Sequence, residues 1–245
     1  MEGLIQFPLP LDKGDKTKMK RNFEVTEKKE VVTNIFNKED EKMVEHLLRK
    51  MLGLSEDVEL DDNLKETPRR YLKLWTEMTE GYRNDPARHL DKSFPVNSPN
   101  LADDEDTFST EHTPEQYHKG LVVVSTDSWS NCCHHLAAMH CRVDVAYLPN
   151  EKVCGLSKIV RCVKEYGRRL NLQEAWGENI ANAMMNKLGA LGCMVRISGV
   201  HSCVSMRGAQ EQTSKTTTMA IRGVFVENET ARNEALKLMD KNDLN

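Results

Sequence analysis

The sequence has no apolar run long enough to cross a bilayer. Its first residues, Met1 to Pro8, have no basic segment leading into an apolar one, so neither membrane insertion nor export is expected. Met1-Glu2 also lacks the glycine that N-myristoylation needs. There is no Cys-x-x-Cys pair, which weakens the case for a closed structural zinc site. There is no His-Glu-x-x-His, which argues against a zincin protease, and no Walker A loop, so a nucleotide would not be held as in P-loop proteins. A net charge of −4 gives no general pull toward nucleic acid. Internal repeats and low-complexity segments are also absent. The seven cysteines, an odd number all in the second half, make a poor disulfide framework. Free thiols in a reducing, cytoplasmic setting are the expectation.

What is present is a chain of 245 residues, 39% hydrophobic and 29% charged, which fits one core domain with extensions. Residues 1–37 are polar and charge-mixed and read as a flexible extension. Residues 38–82 read as two helices. The first carries Met43, His46, Leu47 and Met51 near i, i+4 and closes at Gly53. The second starts at Thr67-Pro68 with a stripe of Tyr71, Leu72, Trp75 and Met78. Pro86, Pro95, Pro99 and the run Asp103 to Asp106 mark 83–118 as an irregular acidic surface insertion. From 119 to 245 the order is strand, strand, helix, helix, strand, strand and a terminal helix. The expected strands are Leu121–Val124, Met139–Leu148, Cys193–Cys203 and Thr216–Val226. The expected helices begin at Ser157, as N-cap, and at Gln173, and the last spans Glu229–Met239. This is an α+β domain with helices on one face of an antiparallel sheet.

Two stretches carry the chemistry: Asn131-Cys-Cys-His-His135, and His201-Ser-Cys203. Residues i and i+2 of a strand share a face, so His201 and Cys203 can aim at one point. Cys132, His135 and Cys203 make a Cys2His set. Three protein ligands are what a catalytic zinc site uses, the fourth position being left to water. A closed site that also recruits Cys133, His134 or His201 is the structural alternative; buried cysteines beside satisfied histidines are another. If the metal is catalytic, His134 and His201 stand next to it as acid and base. Lys158, Arg161, Arg168, Arg169 and Arg207 form a local basic group, and Ser157-Lys158 at a helix start offers N–H groups to phosphate. Solvated helix faces explain such residues equally well. Glu174, after Gln173, can accept two hydrogen bonds from a guanine edge or simply cap a helix.

Taken together, Asn131–His135, Tyr147-Leu-Pro-Asn150, Gly155-Leu-Ser-Lys158, Arg168-Arg169, Leu172-Gln-Glu174, Val200–Cys203, Met206-Arg-Gly208 and Thr213 to Gly223 resemble GTP cyclohydrolase I, over roughly residues 38–241. The resemblance implies a T-fold (tunnelling fold) homodecamer of two pentamers with active sites between subunits. It implies zinc on Cys132, His135 and Cys203, with GTP attacked at C8. Formate leaves, and the opened ribose recloses as 7,8-dihydroneopterin triphosphate, the first step of folate, biopterin or 7-deazaguanine pathways. It further implies that His134 and His201 move protons and that Gln173 and Glu174 hold the guanine. Ser157, Lys158, Arg161 and Arg207 would hold the triphosphate, with Arg70 reaching it from a neighbouring subunit. Two departures are plain: Cys133 stands where the family motif has Glu, and Ala175-Trp176 where it has Arg-Leu. A related nitrile reductase lacks this zinc set, and a non-catalytic subunit that binds GTP or pterin is the alternative reading.

Overall fold

The computed structural model describes residues 35–96 and 120–242. Nearly all of the expected extension 1–37, and the acidic run of the expected insertion, lie outside the described residues. The described residues fall into two compact units divided between Leu72 and Lys73. Among them no helix is long and apolar enough to cross a membrane.

In the first unit, α1 (Lys38–Leu52) begins at a capping box. The Asn37 side chain accepts from the Glu39 and Asp40 N–H groups, and Asp40 accepts from the Asn37 N–H at 2.8 Å. Gly53, at φ 68°, ends the helix as expected. The apolar stripe has helical spacing but is not buried: Met43 is 64% exposed, Leu47 52% and Met51 77%. What α1 buries is Arg49, whose guanidinium binds the Ser55 and Val58 carbonyls and folds the following turn back onto the helix. Helix α2 (Thr67–Met78) starts at Thr67-Pro68 and spans the division between the units.

In the second unit, the stretch expected to be irregular is regular as far as it is described. Asp85 accepts from the Ala87 N–H, and Pro86 opens a 3₁₀ turn over Pro86–Asp91. A proline read as a breaker here starts a helical turn, because its fixed φ suits the first position. Leu90 is fully buried, and Arg88 and His89 both grip the buried carboxylate of Glu165, at 2.5 and 2.6 Å. Strand β1 (Ser93–Pro95) pairs with β4 (Lys152–Cys154).

The main sheet contains β2 (Val122–Cys132), β3 (Ala138–Leu148), β5 (Leu170–Asn171), β6 (Gly192–His201) and β7 (Thr216–Gly223). Its order is β5-β2-β3-β6-β7, antiparallel except for the parallel pair β2–β5. Helices α3 (Leu156–Gly167) and α4 (Gln173–Ala183), the latter continued by a π turn to Leu188, cover one face. That core joins Met139, Cys141, Val143, Val145 and Tyr147 of β3 to Trp176, Ile180, Met184 and Leu188, the helical face read from the sequence. The expectation of helices on one face only is corrected. Ala146, Leu148 and Met194 point the other way and pack against Phe225, Ala231, Ala235 and Met239. The last three belong to the terminal helix α7 (Glu229–Asn242). Strand alternation made both sets apolar at that end of the sheet, so each face needed a cover. Ion pairs fasten α7 there: buried Asp144 holds Arg196 at 2.9 Å, and Arg196 reaches Asp240 at 2.5 Å. Strand β7 stops at Gly223 (φ 60°), short of Val226, and a short helix, α6 (Val224–Glu227), leads into α7.

Candidate active site

Cys132 ends β2, and Cys133 to His135 form the turn into β3. Three hydrogen bonds hold that turn: Leu136 N–H to Cys132 O, Cys132 N–H to Ala137 O, and Cys133 N–H to Asn171 O on β5. Leu136 takes a left-handed conformation, φ 54°, so the chain reverses tightly enough to bring the two histidines back beside Cys132. Asn171, buried, donates to Ser130 Oγ at 2.8 Å and to Tyr166 O at 2.9 Å, which ties β5 to β2 and to the end of α3. Nothing in the sequence singles out Asn171, because its partners are distant backbone and hydroxyl oxygens.

The β6 end of the site departs from expectation. Strand β6 stops at His201, and Ser202–Ser205 form a single helical turn, α5. Cys203 therefore does not share a strand face with His201. The turn separates them: Cys203 joins Cys132 and His135, the ligand atoms of all three lying within 4.8 Å of one another. His201 instead places Nε2 2.8 Å from Gln173 Oε1. Cys132 Sγ is 3.7 Å from His135 Nδ1 and 3.9 Å from His134 Nδ1. Among the described residues the cluster that could hold a metal ion is Cys132, His135 and Cys203, without Cys133, His134 or His201.

The electrostatics suit a cation. Burial pushes the Cys203 thiol up, the adjacent Cys132 sulfur pushes it further, and the Arg207 guanidinium opposes both. Cys133 is raised by burial first and by Cys132 second. Two thiols this close resist ionising together unless a positive charge sits between them, which is what a divalent metal supplies. His201 is held below the ordinary histidine range by burial, against the attraction of Glu174.

The other expected residues divide. Glu174 is exposed in the first turn of α4. The Gln173 side chain is buried and fully engaged within the chain. Arg207 follows α5, exposed and without an ion-pair partner among the described residues. Ser157 is not the cap of α3, which falls to Gly155. Ser157, Lys158 and Arg161 lie toward the helix's start, next to Cys154, whose N–H bonds the Tyr147 hydroxyl. Tyr147 is eight residues along β3 from Met139, or about 26 Å, and Met139 pairs with His201. One chain therefore does not bring these three residues to its own Cys–His cluster. Lys158 and Arg161 have no ion-pair partner among the described residues. Arg168 and Arg169, by contrast, are spent within the fold: Arg168 pairs with Glu80, and Arg169 bonds Gly81 O and stacks on Tyr82 and Tyr166. Arg70 is exposed on α2, in the first unit.

An α+β sheet that ends in a three-donor Cys2His cluster, with free guanidinium charge beside it, has the build of a metal-dependent enzyme acting on an anionic substrate. Comparison with known proteins gives the family. Residues 40–240 match the model of GTP cyclohydrolase I. The chain is 34% identical over 200 residues to the GTP cyclohydrolase 1 of Clostridium perfringens, covering 81% of this chain and 97% of that one. It is 35% identical over 196 residues to that of Campylobacter lari, covering 80% and 94%. Against that of Desulforamulus reducens it is 36% identical over 181 residues, covering 74% and 87%. Among solved structures, the apo form of the archaeosine synthase QueF-Like covers 42% of this chain and 94% of its own, at 15% identity and a TM-score of 0.36, too slight a likeness to argue from. The chain belongs to the GTP cyclohydrolase I family. It is an enzyme, and GTP is its substrate.

Proposed function

We propose that the chain opens GTP at C8, releases formate and recloses the product as 7,8-dihydroneopterin triphosphate, with zinc on Cys132, His135 and Cys203. The observation that carries this reading is the convergence of those three side chains from two separate segments. Two thiols and an imidazole are a borderline-soft donor set that fits zinc, and the raised thiol of Cys203 beside the Cys132 sulfur fits a site built around a cation. Bound zinc supplies Lewis-acid activation of water for attack on carbon. The protein's own groups do the rest. His134 and His201 take up and return protons. Glu174 accepts the guanine N1–H and N2–H, and Arg207 meets the triphosphate.

Ser157, Lys158 and Arg161 hold the triphosphate of a neighbouring chain's substrate, since one chain carries them at the far end of its sheet. Arg70 does the same from its own helix. This requires an assembly, and we propose the T-fold decamer of two pentamers. Three features support it: the uncovered stripe of α1, and the outer edges of β2 and β7, unpaired along most of their length among the described residues. The free cysteines suit a cytoplasmic location. The test is incubation of zinc-reconstituted protein with GTP. Formate and a fluorescent pterin, after oxidation and dephosphorylation, should appear in equal amounts. Formate without pterin would sink the proposed product, and GTP binding without formate would point to a non-catalytic subunit.

A further inference from the structure

Gln173 opens α4 and is 2% exposed. Its amide nitrogen lies 3.0 Å from Ile197 O, 3.1 Å from Thr216 O and 3.1 Å from Thr218 Oγ1. Two of these are carbonyl oxygens, which can only accept. Turning the amide over would press its own oxygen against both, so one orientation is favoured: NH₂ toward the β6–β7 ladder and Oε1 toward His201. His201 Nε2 is 2.8 Å from that oxygen. An amide oxygen cannot donate, so His201 must donate from Nε2. In a neutral imidazole this leaves the lone pair on Nδ1, which has no hydrogen-bond partner among the described residues.

We infer that Gln173 is a positioning residue that holds His201 as the Nε2–H tautomer with Nδ1 as its basic atom, and that its side chain is not a contact to the guanine edge. The inference rests on the proton-transfer role proposed for His201, and it moves Gln173 out of the substrate-binding set. A side chain that merely braced β6 against β7 would make the first three bonds without needing the fourth. The fourth links the brace to the reaction: the donors of the amide fix its acceptor, and the acceptor fixes which ring nitrogen carries the proton.

The test is ¹⁵N NMR of histidine-labelled protein, metal-free and zinc-loaded, with the His201 signals assigned by their loss in His201→Gln. Wild-type His201 should be protonated on Nε2 and bare on Nδ1. The opposite tautomer would overturn the inference without any Gln173 variant having to fold. Gln173→Met keeps the length of the side chain and removes both amide groups. It should give mixed tautomers, kcat lowered at least about tenfold and KM for GTP changed by less than about twofold. An unchanged tautomer in that variant, or a raised KM with kcat intact, would overturn the inference, the second by returning Gln173 to the substrate. A shifted tautomer with kcat intact would uphold the orientation by Gln173 and instead remove His201 from proton transfer.

Discussion

At the scale of single residues, the proposed ligands, proton carriers and bystanders stand side by side, and variants separate them. His134 lies outside the three-donor cluster although its Nδ1 is 3.9 Å from Cys132 Sγ. His134→Ala should therefore lose about 10²- to 10⁴-fold in turnover while zinc stays near one per chain by elemental analysis. Loss of the metal would make His134 a ligand. Glu174→Ala should mainly raise KM for GTP and weaken discrimination against ATP in paired kinetics, since a carboxylate that reads the guanine edge acts on selectivity. The thiols should sort by environment. Burial raises Cys141 to about 11 and pushes Cys162 and Cys193 higher still, so these stay unreactive toward iodoacetamide at pH 8. In zinc-loaded protein Cys133, half-buried and outside the cluster, should be alkylated first, and Cys132 and Cys203 should react only after chelation, as read by peptide mass spectrometry.

At the scale of elements, the site depends on strand ends being held in register. Gly199 shows how little slack there is: a Cβ there would fall 2.2 Å from Cys141 Sγ and 2.8 Å from His140 O. Gly199→Ala should cost about 1–3 kcal/mol by urea unfolding, and by displacing β6 it should also loosen zinc at Cys203. Unchanged stability and metal affinity would show that β6 is free to shift. The same elements show what could be read beforehand. The period-2 run of β3 and the 3.6-residue stripe of α4 report which side is buried, so both were legible, as was the Cys132, His135 and Cys203 cluster, whose side chains name their own chemistry. The end of β6 was not, because a strand and a helical turn both satisfy His-Ser-Cys and only the tertiary contacts of α5 decide between them. The cover provided by α7 was hidden by the small apolar residues Ala146, Ala231 and Ala235, which carry little signal until paired. The bonds of Gln173 were hidden because three of its partners are backbone or hydroxyl oxygens on other strands.

At the scale of the whole molecule, the buried thiols and tyrosines set an alkaline limit. Burial raises Cys141 to about 11 and Tyr166 to about 12. The unfolded chain ionises these groups first, so it binds fewer protons than the folded one above the ordinary thiol range, and stability falls as pH rises through that window. The urea midpoint should drop between pH 8 and pH 10.5; a flat profile would mean that these groups ionise in place. Assembly belongs to this scale too, and light scattering should give the mass of ten chains. A monomer with full activity would contradict the supply of Ser157, Lys158 and Arg161 from a neighbour. Everything turns on which atoms would hold the proposed zinc, and zinc K-edge X-ray absorption of the reconstituted protein reads that directly. The account predicts two sulfur and one nitrogen scatterers from the protein with one further light atom. A third sulfur, or none, would contradict it.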